Sequence, residues 1–154
     1  MKRLILVACF AIGVLTGPAQ AASSYIKGFL QVRHPWTRVI PAGANVSAVY
    51  LEIRNSGKES DRLIAASTPA AERVEMHVMA REGGAMRMRQ VESLNVPARK
   101  QLVLRPNGAH LMIVGPTRTF VKGHRIPLVL RFERGGDVHV EVEVRAAGAT
   151  KLHH

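Results

Sequence analysis

The 154-residue sequence predicts an all-β fold, a sandwich or barrel made of many short strands in a single domain. Three observations carry that expectation. Val138, Val140, Val142 and Val144 alternate with His139, Glu141, Glu143 and Arg145, the period-2 pattern of a half-buried strand. Turn residues punctuate the chain at Asn55-Ser56-Gly57, Pro106-Asn107-Gly108 and Gly135-Gly136. No long segment repeats its apolar residues with the 3.6-residue period of an amphipathic helix.

The elements follow in order. Lys2 and Arg3 precede an apolar run from Leu4 to Leu15, and Ala19-Gln20-Ala21 supplies an A-x-A cleavage site. The run is too short for a membrane-spanning helix. The expected division is a signal peptide over 1–21, removed on export to the periplasm, one β domain over 22–148 and a short tail over 149–154. No stable membrane insertion is expected after cleavage. Leu6-Val7-Ala8-Cys9 has lipobox-like chemistry, but modification at Cys9 would leave almost no apolar stretch ahead of the cleavage point. Within the domain, Val46 to Arg54 sets Val46, Ala48, Tyr50 and Glu52 on one face and Val49, Leu51 and Ile53 on the other. Val74 to Arg89 reads as a hairpin. Val74, Met76 and Val78 share one face of its first strand, and Glu75, His77 and Met79 the other; Met86 and Met88 share a face of the return strand. A turn centred on Glu82-Gly83 sets His77 opposite Met88 and Met79 opposite Met86. Leu102 to Arg105 is a short strand. After the Pro106-Asn107-Gly108 turn, His110 and Met112 project to one side while Leu111 and Ile113 face the core. Pro127 to Glu133 is a further strand before the valine-rich one.

Composition narrows the function classes. Lys and Arg number 22 against 11 Asp and Glu, a formal charge of +11, two units of which leave with Lys2 and Arg3. Such charge attracts nucleic acid, anionic lipid or an acidic protein. With one Trp, two Tyr and four Phe in an exported chain, the stacking platform of a single-strand binder is missing, and nucleic acid is not an expected partner. Cys9 is the only cysteine and lies inside the signal. The domain therefore has no disulfide, no Cys-x-x-Cys redox site and no thiolate metal site, and a blue-copper electron carrier, which needs Cys, is excluded.

A soft-metal site without thiolate must use methionine and histidine. Met76, Met79, Met86, Met88 and Met112 are the methionines beyond Met1, all within residues 76–112. His77, Met88, His110 and Met112 form the leading ligand set, and thioethers with imidazoles select Cu(I) over hard cations. Four ligands, with no acid/base pair or open position required, suit holding a metal rather than catalysis, so no enzyme activity is expected. Met79 and Met86 are second-tier candidates on the same face. Met76 shares the apolar face of Val74 and Val78 and reads as core. His34, His124 and His139 read as ordinary residues. His153 and His154 are either a weak Cu(II) site or a solvated end. Trp36 reads as a core aromatic in preference to a lid over the metal.

The spacing His-x10-Met-x21-His-x-Met matches the motif of the periplasmic copper chaperone family called PCu(A)C. The surrounding residues resemble that family too: Trp36-Thr37-Arg38, Tyr50, Asn55, Asp61-Arg62-Leu63, Ala71 to His77, Met88-Arg89, and Pro106 to Met112. The similarity spans residues 30 to 145. It implies a cupredoxin-like β fold, Cu(I) held by His77, Met88, His110 and Met112, and delivery to a copper-accepting protein. The implied acceptor is cytochrome c oxidase, at the binuclear copper centre of its subunit II, or another periplasmic copper chaperone. A monomer is expected. Family members often carry a His- and Met-rich tail suited to Cu(II), whereas this chain ends Lys151-Leu152-His153-His154 with no Met after Met112. Copper sequestration for tolerance, and a metal-free β-sandwich interaction module, are the alternatives.

Overall fold

The structure is a computed structural model that describes residues 23–149; the expected signal peptide, Cys9, His153 and His154 lie outside them. Among the described residues there are eleven strands and no helix. They are β1 (Ser24–Lys27), β2 (Leu30–Arg38), β3 (Val46–Asn55), β4 (Asp61–Ser67), β5 (Ala71–Glu82), β6 (Ala85–Val91), β7 (Leu94–Val96), β8 (Gln101–Leu104), β9 (His110–Pro116), β10 (Arg125–Phe132) and β11 (Gly136–Arg145). The chain is all-β, as the sequence predicts.

One hydrogen-bonded ladder runs β6-β5-β9-β3-β2-β11-β10-β4-β7, with β1 on β2 and β8 on β3. The β11–β2 pairing is parallel, while the other described pairings are antiparallel. Strand alternation decides what the ladder encloses. Val49, Leu51 and Ile53 of β3 and Leu111 and Ile113 of β9 have no exposed surface, and Val138, Val140, Val142 and Val144 are all buried. These side chains form one apolar cluster with Leu63, Val96, Leu128 and Leu130 from the far half of the ladder. The sheet is therefore folded over its own inner face, and its outer face is left for chemistry.

Three local features position that outer face. First, β3 pairs with β9 along Val46–Val49 and with β8 along Leu51–Arg54. The Pro106-Asn107-Gly108 turn joins β8 to β9, with Asn107 in the left-handed region at φ 62°, which Asn tolerates better than most residues. The Arg105 amide donates to the Ala109 carbonyl at 2.9 Å, which closes the turn and makes His110 the first residue of β9.

Second, the β5–β6 turn lies one residue beyond its expected centre. Glu82 pairs with Ala85, so Gly83 and Gly84 form the turn, at φ 57° and 82°. A two-residue loop of this type needs positive φ at both central positions. Glycine accepts that freely, whereas Glu82 there would cost about 1–2 kcal/mol. The consequence is a two-residue change of register. Met79 faces Met88, His77 faces Gln90 and Arg81 faces Met86, in place of the expected His77–Met88 and Met79–Met86 pairs. Because the change is an even number of residues, every side chain keeps its face.

Third, β2 carries a bulge between Arg33 and Trp36. His34, buried and at φ 52°, precedes Pro35 there. Ahead of the bulge Leu30 and Val32 point into the core, and simple alternation would send Trp36 after them. One extra residue reverses the parity. Thr37 now pairs with inward-facing Val49, and Trp36 pairs with Tyr50 on the outer face. Trp36 is buried, as expected of a large aromatic, but beside Tyr50 and under the Arg38 and Arg145 guanidiniums rather than among the aliphatic side chains.

Replacing Gly84 by Val would force a β-branched residue into the left-handed region. The expected outcome is a loss of about 1–2 kcal/mol in urea unfolding. An unaltered midpoint would contradict this turn.

Candidate metal centre

Strand β5 lies between β6 and β9, and its outer side chains are Glu75, His77 and Met79. Val74 and Met76 on the same strand turn inward, Met76 being buried, so the core pins the outward set. On β9, Leu111 and Ile113 do the same for His110 and Met112. The β5–β9 register places His77 directly opposite His110 and Glu75 opposite Met112. The two imidazoles are in contact, with ring centroids 5.5 Å apart at 49°, and both residues are buried.

The four leading candidates thus form a diagonal across three strands. His77 and His110 are its centre. Met112 is two residues along β9 from His110, and Met88 stands one cross-strand pair from His77 toward the hairpin tip. Diagonal neighbours lie about 7–8 Å apart, somewhat less at Cβ, within reach of long side chains. Met88 is 50% exposed and Met112 partly buried, so the thioether on the hairpin arm is the freer of the two.

Hydrogen bonds fix which nitrogen each ring presents. The Arg73 guanidinium, and then the His77 ring, hold the Glu75 carboxyl below the usual carboxylate range. Glu75 is therefore an ionised acceptor, and the His77 Nε2–H donates to its Oε2 at 2.9 Å. Arg73 Nε donates to the other carboxylate oxygen at 2.7 Å. His77 Nδ1 is left with the lone pair; it is buried and has no hydrogen-bond partner. Such an atom in a native interior calls for an explanation, and an absent electrophile is one. His110 is held in the opposite sense. Its Nδ1–H donates to the Gly108 carbonyl at 2.9 Å, so its lone pair is on Nε2. In each ring one nitrogen is tied to an acceptor and the other is bare, the arrangement by which metal-binding imidazoles are oriented. Sequence reading missed Glu75 and the Gly108 carbonyl as ring partners, although the two-residue separation of Glu75 from His77 already set them on one face.

Tyr50 and Trp36 continue the site along the outer face. The Tyr50 ring meets His110 edge-on at 6.5 Å, and Trp36 meets Tyr50 at 4.8 Å. Trp36 is thus separated from the imidazoles by Tyr50 and is no lid over them. Met79 and Met86 share the face of Met88, Met79 directly opposite it and Met86 nearer the hairpin tip. His124 and His139 are exposed elsewhere. Among the described residues no group of three or more His, Cys, Asp and Glu could hold a metal, so a metal held here needs the methionines. A separate cleft of about 820 Å³ includes Asp61 and Glu59, but Asp61 accepts three backbone N–H groups and Glu59 is paired with Arg134.

In the metal-free protein, nitrogen-15 spectra of the rings should show His77 as the Nε2–H tautomer and His110 as the Nδ1–H tautomer. Glu75→Leu should release His77 into a mixture and leave His110 unchanged. A wild-type His77 protonated at Nδ1 would refute the assignment.

Comparison with known proteins gives a family and a fold. Residues 30–144 match the profile of a family described as "Putative lipoprotein LpqE-like". A protein of Leifsonia xyli subsp. xyli named as a putative lipoprotein is 28% identical over 152 residues, covering 94% of this chain and 90% of its own. Among solved structures, the apo PCuAC domain of PmoF2 superposes with a TM-score of 0.72 at 25% identity, over 84% of this chain and 100% of that one. Its copper-bound form gives 0.71 at 23%, over 80% and 98%. The Cu(I) form of DR1885 from Deinococcus radiodurans gives 0.61 at 26%, over 82% and 81%. The fold is that of PCuAC domains.

Proposed function

The chain belongs to the LpqE-like family, and from that premise we propose that it is an exported copper chaperone that carries Cu(I) on His77, Met88, His110 and Met112. The observation that carries this reading is the pair of facing imidazoles, each with one nitrogen anchored and the other bare, flanked by two thioethers. That donor set is soft and uncharged. Similarity to the Cu(I) form of DR1885 supports the choice of metal.

Binding needs no chemistry beyond ligand exchange. His77 Nδ1 and His110 Nε2 offer lone pairs without first losing a proton, because each ring's hydrogen is already placed on its other nitrogen. The ionised Glu75 behind His77 makes that ring a better donor. Met112, partly buried on the internal strand β9, is the more fixed of the two thioethers. Met88, on an exposed and unbranched side chain, is the ligand that releases first. Exchange through neutral thioethers lets an acceptor take the ion stepwise. The proposed acceptor is cytochrome c oxidase at its binuclear copper centre, or another chaperone; the basic surface favours an acidic one, through steering that salt weakens. Relatives named as lipoproteins support export of this chain.

Competition with a Cu(I)-specific chelator tests the site. The purified protein should hold one tight Cu(I). Met88→Ala and His110→Ala should each weaken it by more than the about 10–100-fold that outer-shell partners are worth. Binding indifferent to both substitutions would refute the ligand set.

Delivery and sequestration separate in a deletion strain. Loss of oxidase activity at low copper is the expected phenotype. Copper sensitivity with normal oxidase would favour storage instead.

A further inference from the structure

The β5–β6 arm carries more sulfur than the four-ligand site uses. Met79 and Met88 face each other across the hairpin, and Met86 stands two residues from Met88 toward the tip. All three project from one face. Met86 is 55% exposed and Met88 50% exposed, whereas Met76, one face away, is buried in the core. Burial accounts for Met76 and not for the outer methionines. The whole run Ala85–Gln90 on this edge strand is exposed.

We propose that Met79, Met86 and Met88 form an outer thioether site for a soft monovalent cation, Cu(I) or its analogue Ag(I), which loads the inner imidazole site through Met88. The inference rests on the inner-site reading above and adds a route into it. Directly opposed side chains have Cβ atoms about 4.5–5.5 Å apart, and Met86 and Met79 are diagonal neighbours, so three flexible side chains can converge on one ion. Hard cations are not served there, since the nearest carboxylate on the arm, Glu82, is paired with Arg89 at 3.4 Å.

Charge gives the route a direction. Arg81 faces Met86 across the strands, so the tip end of the sulfur row carries a positive charge. Glu75, two residues inward of His77 on the same face of β5, is paired with Arg73 at 2.7 Å, so the inner end carries no such unpaired positive charge. A monovalent cation is therefore held weakly at the tip and passes to the stronger imidazole donors. Met88 belongs to both ligand sets and is half exposed. The step exchanges the Met79 and Met86 sulfurs for His77 Nδ1, His110 Nε2 and the Met112 sulfur. The metal keeps its oxidation state and no proton moves, since thioethers are neutral and both ring nitrogens are bare.

Methionine-methyl NMR during Ag(I) titration tests this on the purified protein. In the wild type, the Met88 and Met112 methyls should move with the first equivalent; the second should move those of Met79 and Met86 and shift Met88 again, its sulfur then bridging the two ions. In His110→Ala the Met79, Met86 and Met88 methyls should still move together. The double variant Met79→Leu/Met86→Leu should lose the second equivalent and exchange Cu(I) with a chelator about tenfold more slowly, a barrier change of about 1.4 kcal/mol. Met79 and Met86 methyls that stay still through two equivalents, or a double variant exchanging at the wild-type rate, would overturn the outer site. Failure of the inner-site reading would look different: the Met112 methyl would not respond while the three arm methyls did.

Discussion

Alternation along β5 is the constraint on which the rest of the structure depends. The strand is paired on both edges, so it cannot rotate. Burial of Met76 in the core fixes Glu75, His77 and Met79 on the opposite face. The same alternation acts on β9, where Leu111 and Ile113 anchor His110 and Met112. Two core-locked strands therefore bring two imidazoles into contact, and the turn before β9 adds only the Gly108 carbonyl that orients His110. A site built this way is as rigid as the core beneath it.

Rigidity is graded across the site, and that grading suits a carrier. The histidines are buried and each is held by a hydrogen bond from one ring nitrogen. Met112 sits on an internal strand. Met88 lies on the edge strand, more exposed than any of them. Tight holding and ready release are thus assigned to different side chains. Electrostatics follows the same axis, from Arg81 at the hairpin tip to the Glu75–Arg73 pair beside His77. In a chain of formal charge +11, Glu75 balances the arginine nearest the imidazoles on this face.

The aromatic wall behind His110 is a product of one inserted residue. The bulge before Trp36 reverses the parity of the second half of β2 and sends the indole to the metal face, where it packs on Tyr50. Arg38 and Arg145 cover it. The result is a sheet whose two faces are both buried at this point, one by aliphatic side chains and one by rings and guanidiniums. His110 stands against the far side of Tyr50 and is braced there.

Much of this was determined by the sequence alone. Period-2 patterns state which face each side chain takes, because a strand's geometry depends only on its own backbone. Hence the valines of β11, the inward Leu111 and Ile113, and the common face of His77, Met79, Met86 and Met88 were legible in advance. Family resemblance supplied the expected metal and fold. Register and ring orientation were not legible, because alternation fixes the face of a side chain but neither its cross-strand neighbour nor its rotamer. The Gly83–Gly84 turn moved each hairpin pair by two residues, and an even change preserves the face while altering every neighbour. The bulge at His34 and Pro35 reversed Trp36 because its extra residue is defined only against the strand beside it. Which nitrogen of His77 or His110 is bare was decided by Glu75 and the Gly108 carbonyl, near neighbours in the chain whose contact with each ring depends on the side-chain rotamers that packing selects.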